Sequence, residues 1–299
     1  MLFQGLPGKI TVIYGIKQDR QEKQLGIGCL VDDQTIASFT TASDPQRPGD
    51  WFDLDPATGC HDRALELHGD PSTPKLDLDR VELLCPIAPR PSKVICIGLN
   101  YKDHAEESGM DLPERPLLFS KFPSSIAGPG SDVRVPKGCQ ELDYEAEFGV
   151  VVGRRASRVA VADAMDHVLG YTCCNDISAR DFQFADGQWQ RGKSCDTFAP
   201  IGPWIVTKDE IDDPHSLRIA FRLNGETLQD SSTDQMIFGV PELLSYISQT
   251  ITLEPGDVIS TGTPPGVGFS RNPPIYLKDG DAMEVDIDGI GVLHNTVRA

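Results

Sequence analysis

The sequence predicts an α+β protein, mainly β, with a small β-rich N-terminal domain over residues 1–85 and a larger domain over residues 86–299. Three observations carry that reading. Runs of β-branched and aromatic residues recur along the whole chain, bounded by Gly, Pro, Asn or Asp. Helical spacing is confined to a few short stretches. Between the two parts, Cys85-Pro86-Ile87-Ala88-Pro89-Arg90-Pro91 is a proline-stiffened joint.

In the N-terminal part, Ile10-Thr11-Val12-Ile13-Tyr14, residues 25–31 and Ile36-Ala37-Ser38-Phe39 read as strands, with a hairpin turn at Asp32-Asp33-Gln34. Residues 42–62 read as loop, and a weak helix is expected at 63–68. After the joint, residues 93–101 read as a buried strand ending at a glycine turn. A short helix follows, closed by Gly109, then a polar, mobile loop over residues 110–115 and a strand with Lys121 near its end. Residues 144–152 and 169–174 are strongly β-forming. Between them, Val159, Ala162, Met165 and Val168 predict the longest helix, over 156–168. Residues 217–223 alternate strictly and turn at Asn224-Gly225. A second helix is expected over 240–250, with Pro241 in its first turn, and residues 274–297 return to short strands.

Composition bounds the function. The chain carries 27 Lys and Arg against 45 Asp and Glu, a net charge of −18, which repels nucleic acid and anionic membrane. No apolar run reaches the roughly 18 residues of a membrane span. Eight cysteines without a Cys-x-x-Cys pair read as reduced, mostly buried thiols. The N-terminus shows no signal-peptide pattern, so the expected location is the cytoplasm, or the mitochondrial matrix for a processed eukaryotic chain.

The chemistry gathers between Gln140 and Asp196. In a strand over 144–152, Glu145 and Glu147 project from one face, roughly 6.5–7 Å apart along the backbone. Asp176 ends the next strand, and Arg180, Gln183 and Lys193 follow closely. Without His or Cys at ligand spacing, the pattern fits an all-oxygen site for Mg²⁺, Mn²⁺ or Ca²⁺ rather than zinc. The bland alternative is a half-exposed strand with a polar face. His104 and Glu107 share a helix face at i and i+3. The glycine-rich run from Thr261 to Gly268 lacks both the P-loop and the dinucleotide pattern, so it reads as a tight loop whose amides and hydroxyls hold a carboxylate.

A spaced set of motifs then carries a resemblance. Gly98-Leu99-Asn100-Tyr101, His104-x-x-Glu107, Phe119-x-Lys121, Asp143-Tyr144-Glu145-x-Glu147, Asn175-Asp176-x-x-x-Arg180-Asp181-x-Gln183, Gly192-Lys193-x-x-Asp196 and Thr261-Gly262-Thr263-Pro264 resemble the fumarylacetoacetate hydrolase family, in order. The match spans residues 86–299, and the short N-terminal part is most similar to the family's domain-containing protein 2 group. The resemblance implies a mixed β-sandwich roll as catalytic domain, usually dimeric. It implies Mg²⁺ or Mn²⁺ on Glu145, Glu147 and Asp176, and a lid helix carrying His104 and Glu107. Substrates in the family are small anionic, enolisable 2-oxo acids.

For such substrates the resemblance implies a fixed positive charge at Lys193 and proton transfer by His104, oriented by Glu107. Lys121, Arg180, Gln183, Thr261, Gly262 and Thr263 are expected to clamp the substrate, with Arg180 alternatively bracing the site through Asp181 or Asp196. Cys195 is read as packing. Keto–enol tautomerisation of oxaloacetate is the first expectation. C–C hydrolysis of acylpyruvate-type dioxo acids, oxaloacetate decarboxylation and an inactive metal- and ligand-binding relative remain open beside it.

Overall fold

A computed structural model of the chain describes residues 11–14, 27–32, 34–38, 66–67, 69–87, 91–185 and 187–299. It is mainly β with few, short helices, as the periodicity predicts. Among the described residues an 11-stranded sheet runs, in spatial order, through Lys75–Asp77, Thr35–Ser38, Ile27–Asp32, Thr11–Tyr14, Ala199–Thr207, Val168–Asn175, Ala146–Val152, Val258–Ser260, Val94–Gly98 and Leu117–Lys121. The short strand Ile126–Ala127 joins it beside Ala199–Thr207. A five-stranded sheet contains Glu226–Ser232, Arg218–Leu223, Ala282–Ile287, Gly291–Arg298 and Asp132–Arg134.

The two sheets share one core. Phe148, Val150 and Val152 of the large sheet pack with Ile219, Phe221, Val285 and Leu293 of the small one. Tyr144 stacks flat on Phe221 with ring centroids 4.0 Å apart. A second cluster covers the other side of the large sheet, joining Val151, Leu169, Cys174 and Ile201 to Cys29 and Ala37 of the N-terminal strands. Strand Ala146–Val152 is therefore buried on both faces, and the half-exposed polar strand does not occur.

The N-terminal strands continue the large sheet through the pairs Thr11↔Val206 and Val12↔Ile205. The expected loop over 42–62 and nearly all of the helix at 63–68 lie outside the described residues. Asn224 and Gly225 turn the Arg218–Leu223 hairpin with φ of 53° and 85°, both left-handed, as that dipeptide predicts. The helix Val240–Ser248 forms with Pro241 in its first turn, and Glu242 accepts the Gly239 N–H at 3.0 Å.

The helix expected over 156–168 is a correction. Ala156 bridges Leu253, Arg158 adopts a left-handed φ of 58°, and only a 3₁₀ stretch, Val161–His167, follows. The apolar spacing reflects Val159 and Ala164 packing into the core, while Ala162 is exposed.

Candidate active site

Strand register brings the carboxylates together. Ala146 pairs with Asn175, which sets Glu145 and Glu147 beside Asp176 at the strand's end. Glu145 itself precedes the strand, and its backbone is locked: its N–H donates to Asn175 Oδ1 at 3.2 Å, and its carbonyl accepts from Asp176 N at 2.9 Å. Oxygens of the three acids lie within 4.8 Å of one another, all buried.

Cations surround two of them. Lys193 Nζ donates to Glu145 Oε2 and Asp176 Oδ2, both at 2.8 Å. Arg180 donates to Glu145 Oε1 at 2.7 Å, to Asp143 Oδ2 at 2.8 Å and to Gln183 Oε1 at 3.0 Å. Its acidic partners are therefore Asp143 and Glu145 rather than Asp181 or Asp196. Lys121 donates to Asp176 Oδ1 and to the Ile177 carbonyl, so its ammonium braces a carboxylate. Gly192 makes the Lys193 placement feasible: a Cβ there would lie 2.6 Å from the Gln183 backbone nitrogen. The short helices Arg180–Ala185 and Gln190–Lys193 meet at that contact.

Glu147 is held differently. Its contacts are the Ser260 hydroxyl at 2.5 Å and the Gly262 N–H at 3.1 Å, both on Oε2. Gly262 has a φ of 98°, and a Cβ would sit 2.9 Å from Asn100 Cβ, so the loop tolerates only glycine there. Burial, then Asp176 and Glu145, push the Glu147 carboxyl well above the usual carboxylate range. For Glu145, burial acts in the same direction, but Lys193 and Arg180 outweigh it and hold the group at about 2.

Four buried carboxylates (Asp143, Glu145, Glu147, Asp176) thus face three buried cations (Lys121, Arg180, Lys193). The excess is negative and resides on Glu147. An all-oxygen trio with one carboxylate straining to bind a proton suits a hard divalent cation, which relieves that excess. The residues present fit such an ion.

Across the cleft, the six-residue helix Lys102–Glu107 ends where Gly109 turns left-handed and Met110 N bonds back to the Ala105 carbonyl. His104 Nδ1 lies 3.2 Å from Glu107 Oε2, and Glu107 accepts the Gly266 N–H at 3.0 Å. With Nδ1 given to Glu107, Nε2 is the proton acceptor on offer.

A cleft of about 1120 Å³ lies between these parts, bordered by His104, Glu145, Glu147, Arg180, Gln183, Lys193 and Thr263. Glu107, Lys121, Asp176, Thr261 and Gly262 do not border it. The Thr261 hydroxyl is spent on the Phe148 carbonyl at 2.9 Å. Sequence reasoning gave no role to Asp143, Asn100, Ser260 or Gln229. Asp143 anchors Arg180 and the Gly268 and Phe269 amides, and Asn100 ties Thr261 to Phe238. Gln229 joins Ala146 N to Thr263 Oγ1. Asp143 and Asn100 sat inside the quoted motifs; Ser260 and Gln229 carried no local signal. Cys195 is half-buried, with its thiol raised by burial and donated to the Arg191 carbonyl, as a packing residue.

Residues 93–298 match the family described as "Fumarylacetoacetate (FAA) hydrolase C-terminal". A mitochondrial oxaloacetate tautomerase of Bos taurus is 48% identical over 226 residues, covering 75% of this chain and 72% of that one. The counterpart of Homo sapiens is 47% identical with the same coverage. Among solved structures, a fumarylacetoacetate hydrolase from Exiguobacterium antarcticum superposes with a TM-score of 0.81 at 36% identity, covering 97% of this chain and 99% of that one. A 5-carboxymethyl-2-hydroxymuconate delta-isomerase from Mycobacterium smegmatis gives a TM-score of 0.77 at 32% identity, with the same coverage.

Proposed function

The chain belongs to the fumarylacetoacetate hydrolase family, and from that premise we propose that it is a divalent-metal-dependent enzyme interconverting the keto and enol forms of oxaloacetate. One observation carries the proposal: three buried carboxylates converge, two of them, Glu145 and Glu147, border the cleft with Lys193, and His104, paired with Glu107, borders the same cleft. Glu145, Glu147 and Asp176 would hold Mg²⁺ or Mn²⁺, which would supply a Lewis-acidic charge for the 2-oxo oxygen. Lys193 adds a fixed positive charge on the same side of the cleft, in a site shielded from water. His104 Nε2 takes the C3 proton and returns it, while Glu107, itself fixed by the Gly266 amide, holds the imidazole in the receptive tautomer. Gln183 and Thr263, at the cleft wall, orient the second carboxylate; Arg180 and Lys121 keep Glu145 and Asp176 in position.

Among the described residues no helix is long and apolar enough to cross a membrane. The relatives named as mitochondrial make the matrix the compartment we favour over the cytoplasm, and the family makes a homodimer the expected assembly. A second reading, C–C hydrolysis of 2,4-dioxo acids, draws on the same His104–Glu107 pair used to activate water.

The experiment is a direct one. Enol-oxaloacetate decay is followed by its ultraviolet absorbance with Mg²⁺, with Mn²⁺ and with chelator, beside pyruvate release from oxaloacetate and acetylpyruvate. Fast, chelator-sensitive equilibration with little pyruvate supports the proposal. Efficient acetylpyruvate cleavage with oxaloacetate equilibrating at its buffer rate replaces it with the hydrolase.

A further inference from the structure

Glu145, Glu147 and Lys193 make up only part of the cleft's lining. A four-carbon diacid leaves most of about 1120 Å³ unfilled. Spaces of roughly 300–1,000 Å³ already hold drug-sized ligands. The remaining walls are largely carbon: Phe119, Trp189, Phe184, Phe269, Tyr246 and Leu117. They are arranged in two edge-to-face ring pairs, Phe119 with Trp189 at 5.4 Å and Phe184 with Phe269 at 5.8 Å between centroids.

These rings begin where the charged site ends. Lys193 Nζ lies 5.3 Å from the centre of Phe119, and the Arg180 guanidinium lies 4.4 Å from that of Phe269. Both cations touch Glu145. A ligand with its carboxylate and 2-oxo group at the charged end therefore meets aromatic surface about one side chain's breadth away. Phe184, Leu117 and Tyr246 are also solvent-exposed, at 58%, 47% and 39%. Large exposed apolar groups gathered on one cleft mark a surface meant to be covered.

We propose that the cleft takes enolisable 2-oxo acids bearing an aryl group on C3, and that the enzyme interconverts their keto and enol forms; this rests on the tautomerase reading above. The proton leaves C3 for His104 Nε2, and the C–H electron pair becomes the C2=C3 double bond. The carbonyl π pair moves to the C2 oxygen, which takes that same proton back from His104 Nε2 to complete the enol and leave the imidazole neutral. Nothing is oxidised or reduced. The aryl group conjugates with the new double bond and lies between the two ring pairs.

Phenylpyruvate is the probe. Its enol decay is timed with the Mn²⁺-loaded protein beside that of oxaloacetate, and phenylpyruvate and pyruvate are titrated calorimetrically onto the same protein. Wild type should accelerate both enol decays and bind phenylpyruvate at least ~10-fold more tightly than pyruvate, the gain from burying a ring. Phe184→Ser, at an exposed position, should weaken phenylpyruvate about 5-fold and leave oxaloacetate turnover unchanged. If oxaloacetate equilibrates quickly while phenylpyruvate decays at its buffer rate, the inference is overturned and the tautomerase reading stands. If neither is accelerated, both activities fail, and the titration decides the subsite: equal affinity for phenylpyruvate and pyruvate, or a preference that Phe184→Ser leaves unchanged, removes it, and a preference that Phe184→Ser cuts about 5-fold retains it.

Discussion

The carboxylate wall and the helix Lys102–Glu107, which we propose as its lid, border one cleft and are built in opposite ways. Glu147 and Asp176 are 1% exposed, and each is held by neighbouring strands and loops far apart in sequence. The lid is a six-residue helix followed by a segment whose Met110 and Leu112 are more than half exposed. It is fastened to the body by Asp103, which accepts the Ser231 hydroxyl at 2.5 Å, and by Glu107 on Gly266. Charge stabilisation needs dipoles and ions fixed before the reaction, which only a packed core supplies. On the proposed function, a proton carrier must admit substrate and product, which suits an element with few anchors.

The sharpest test of that contrast is Glu147→Ala. It should reduce oxaloacetate turnover by roughly 10³-fold or more, the scale of several kcal/mol of lost metal-derived stabilisation. Stability in chelator should hold or rise, because, of the four buried site carboxylates, the variant removes the one that has no cationic partner among the described residues. The same logic fixes a pH dependence for the metal-free wild type. The folded state raises the Glu147 proton affinity, so it holds a proton that the unfolded chain releases. Melting temperature in chelator should therefore fall as pH rises through that elevated value. A chelator-treated Glu147→Ala protein that unfolds far below wild type, or that keeps full activity, breaks the assignment.

Lys193→Met probes the same wall from its cationic side. Removing the ammonium between Glu145 and Asp176 takes one of two cationic partners from each buried carboxylate, leaving only Arg180 on Glu145 and Lys121 on Asp176, so urea unfolding in chelator should show a loss of ~3–5 kcal/mol. Turnover with saturating Mn²⁺ should drop by about 10²-fold, as for loss of a charge placed where an enolate forms. Unchanged stability would mean that the lysine does not bridge the acids in solution.

The wall was largely legible in the sequence, because alternation and a strand end place Glu145, Glu147 and Asp176 without knowledge of the fold. Its supports were not. Gln229 and Ser260 matter only because one sheet lies over another and one strand pairs with Ala146–Val152. Lys121 and Arg180 read as substrate clamps, with Asp181 or Asp196 as alternative partners for Arg180, yet both cations are committed to carboxylates that register brings within reach. The nine-residue strand Ala199–Thr207 escaped because Pro200 and Pro203 withhold backbone donors that a central strand normally uses. The spurious helix over 156–168 came from apolar spacing that the left-handed Arg158 interrupts.

His104→Ala moves the test to the lid. The catalytic rate should fall by about 10²-fold, typical of losing a general base. Mn²⁺ affinity measured by calorimetry and the melting temperature should stay close to wild type, since among the described residues the imidazole is hydrogen-bonded only within its own helix. Here the ordering of effects is the opposite of Lys193→Met, where stability changes with activity. A large stability loss with little change in rate would place the pair among structural contacts instead.

The smallest effect should come from the lid's distal anchor. Ser231 lies on the edge strand Glu226–Ser232, and its hydroxyl reaches Asp103, one residue before His104. Ser231→Ala removes one hydrogen bond to a carboxylate, about 1.5–3 kcal/mol when both partners stay desolvated and less where water replaces the hydroxyl. That bond touches neither substrate nor metal, so its loss acts through the fraction of lid that is docked. If closure is limited by the two anchors, KM for oxaloacetate should rise a few-fold while kcat at saturation changes little, because bound ligand restores closure. Amide exchange should quicken over residues 102–109 and stay unchanged over Ala146–Val152. Equal exchange changes at both places would show that lid and wall move as one unit, and the contrast between them would be lost.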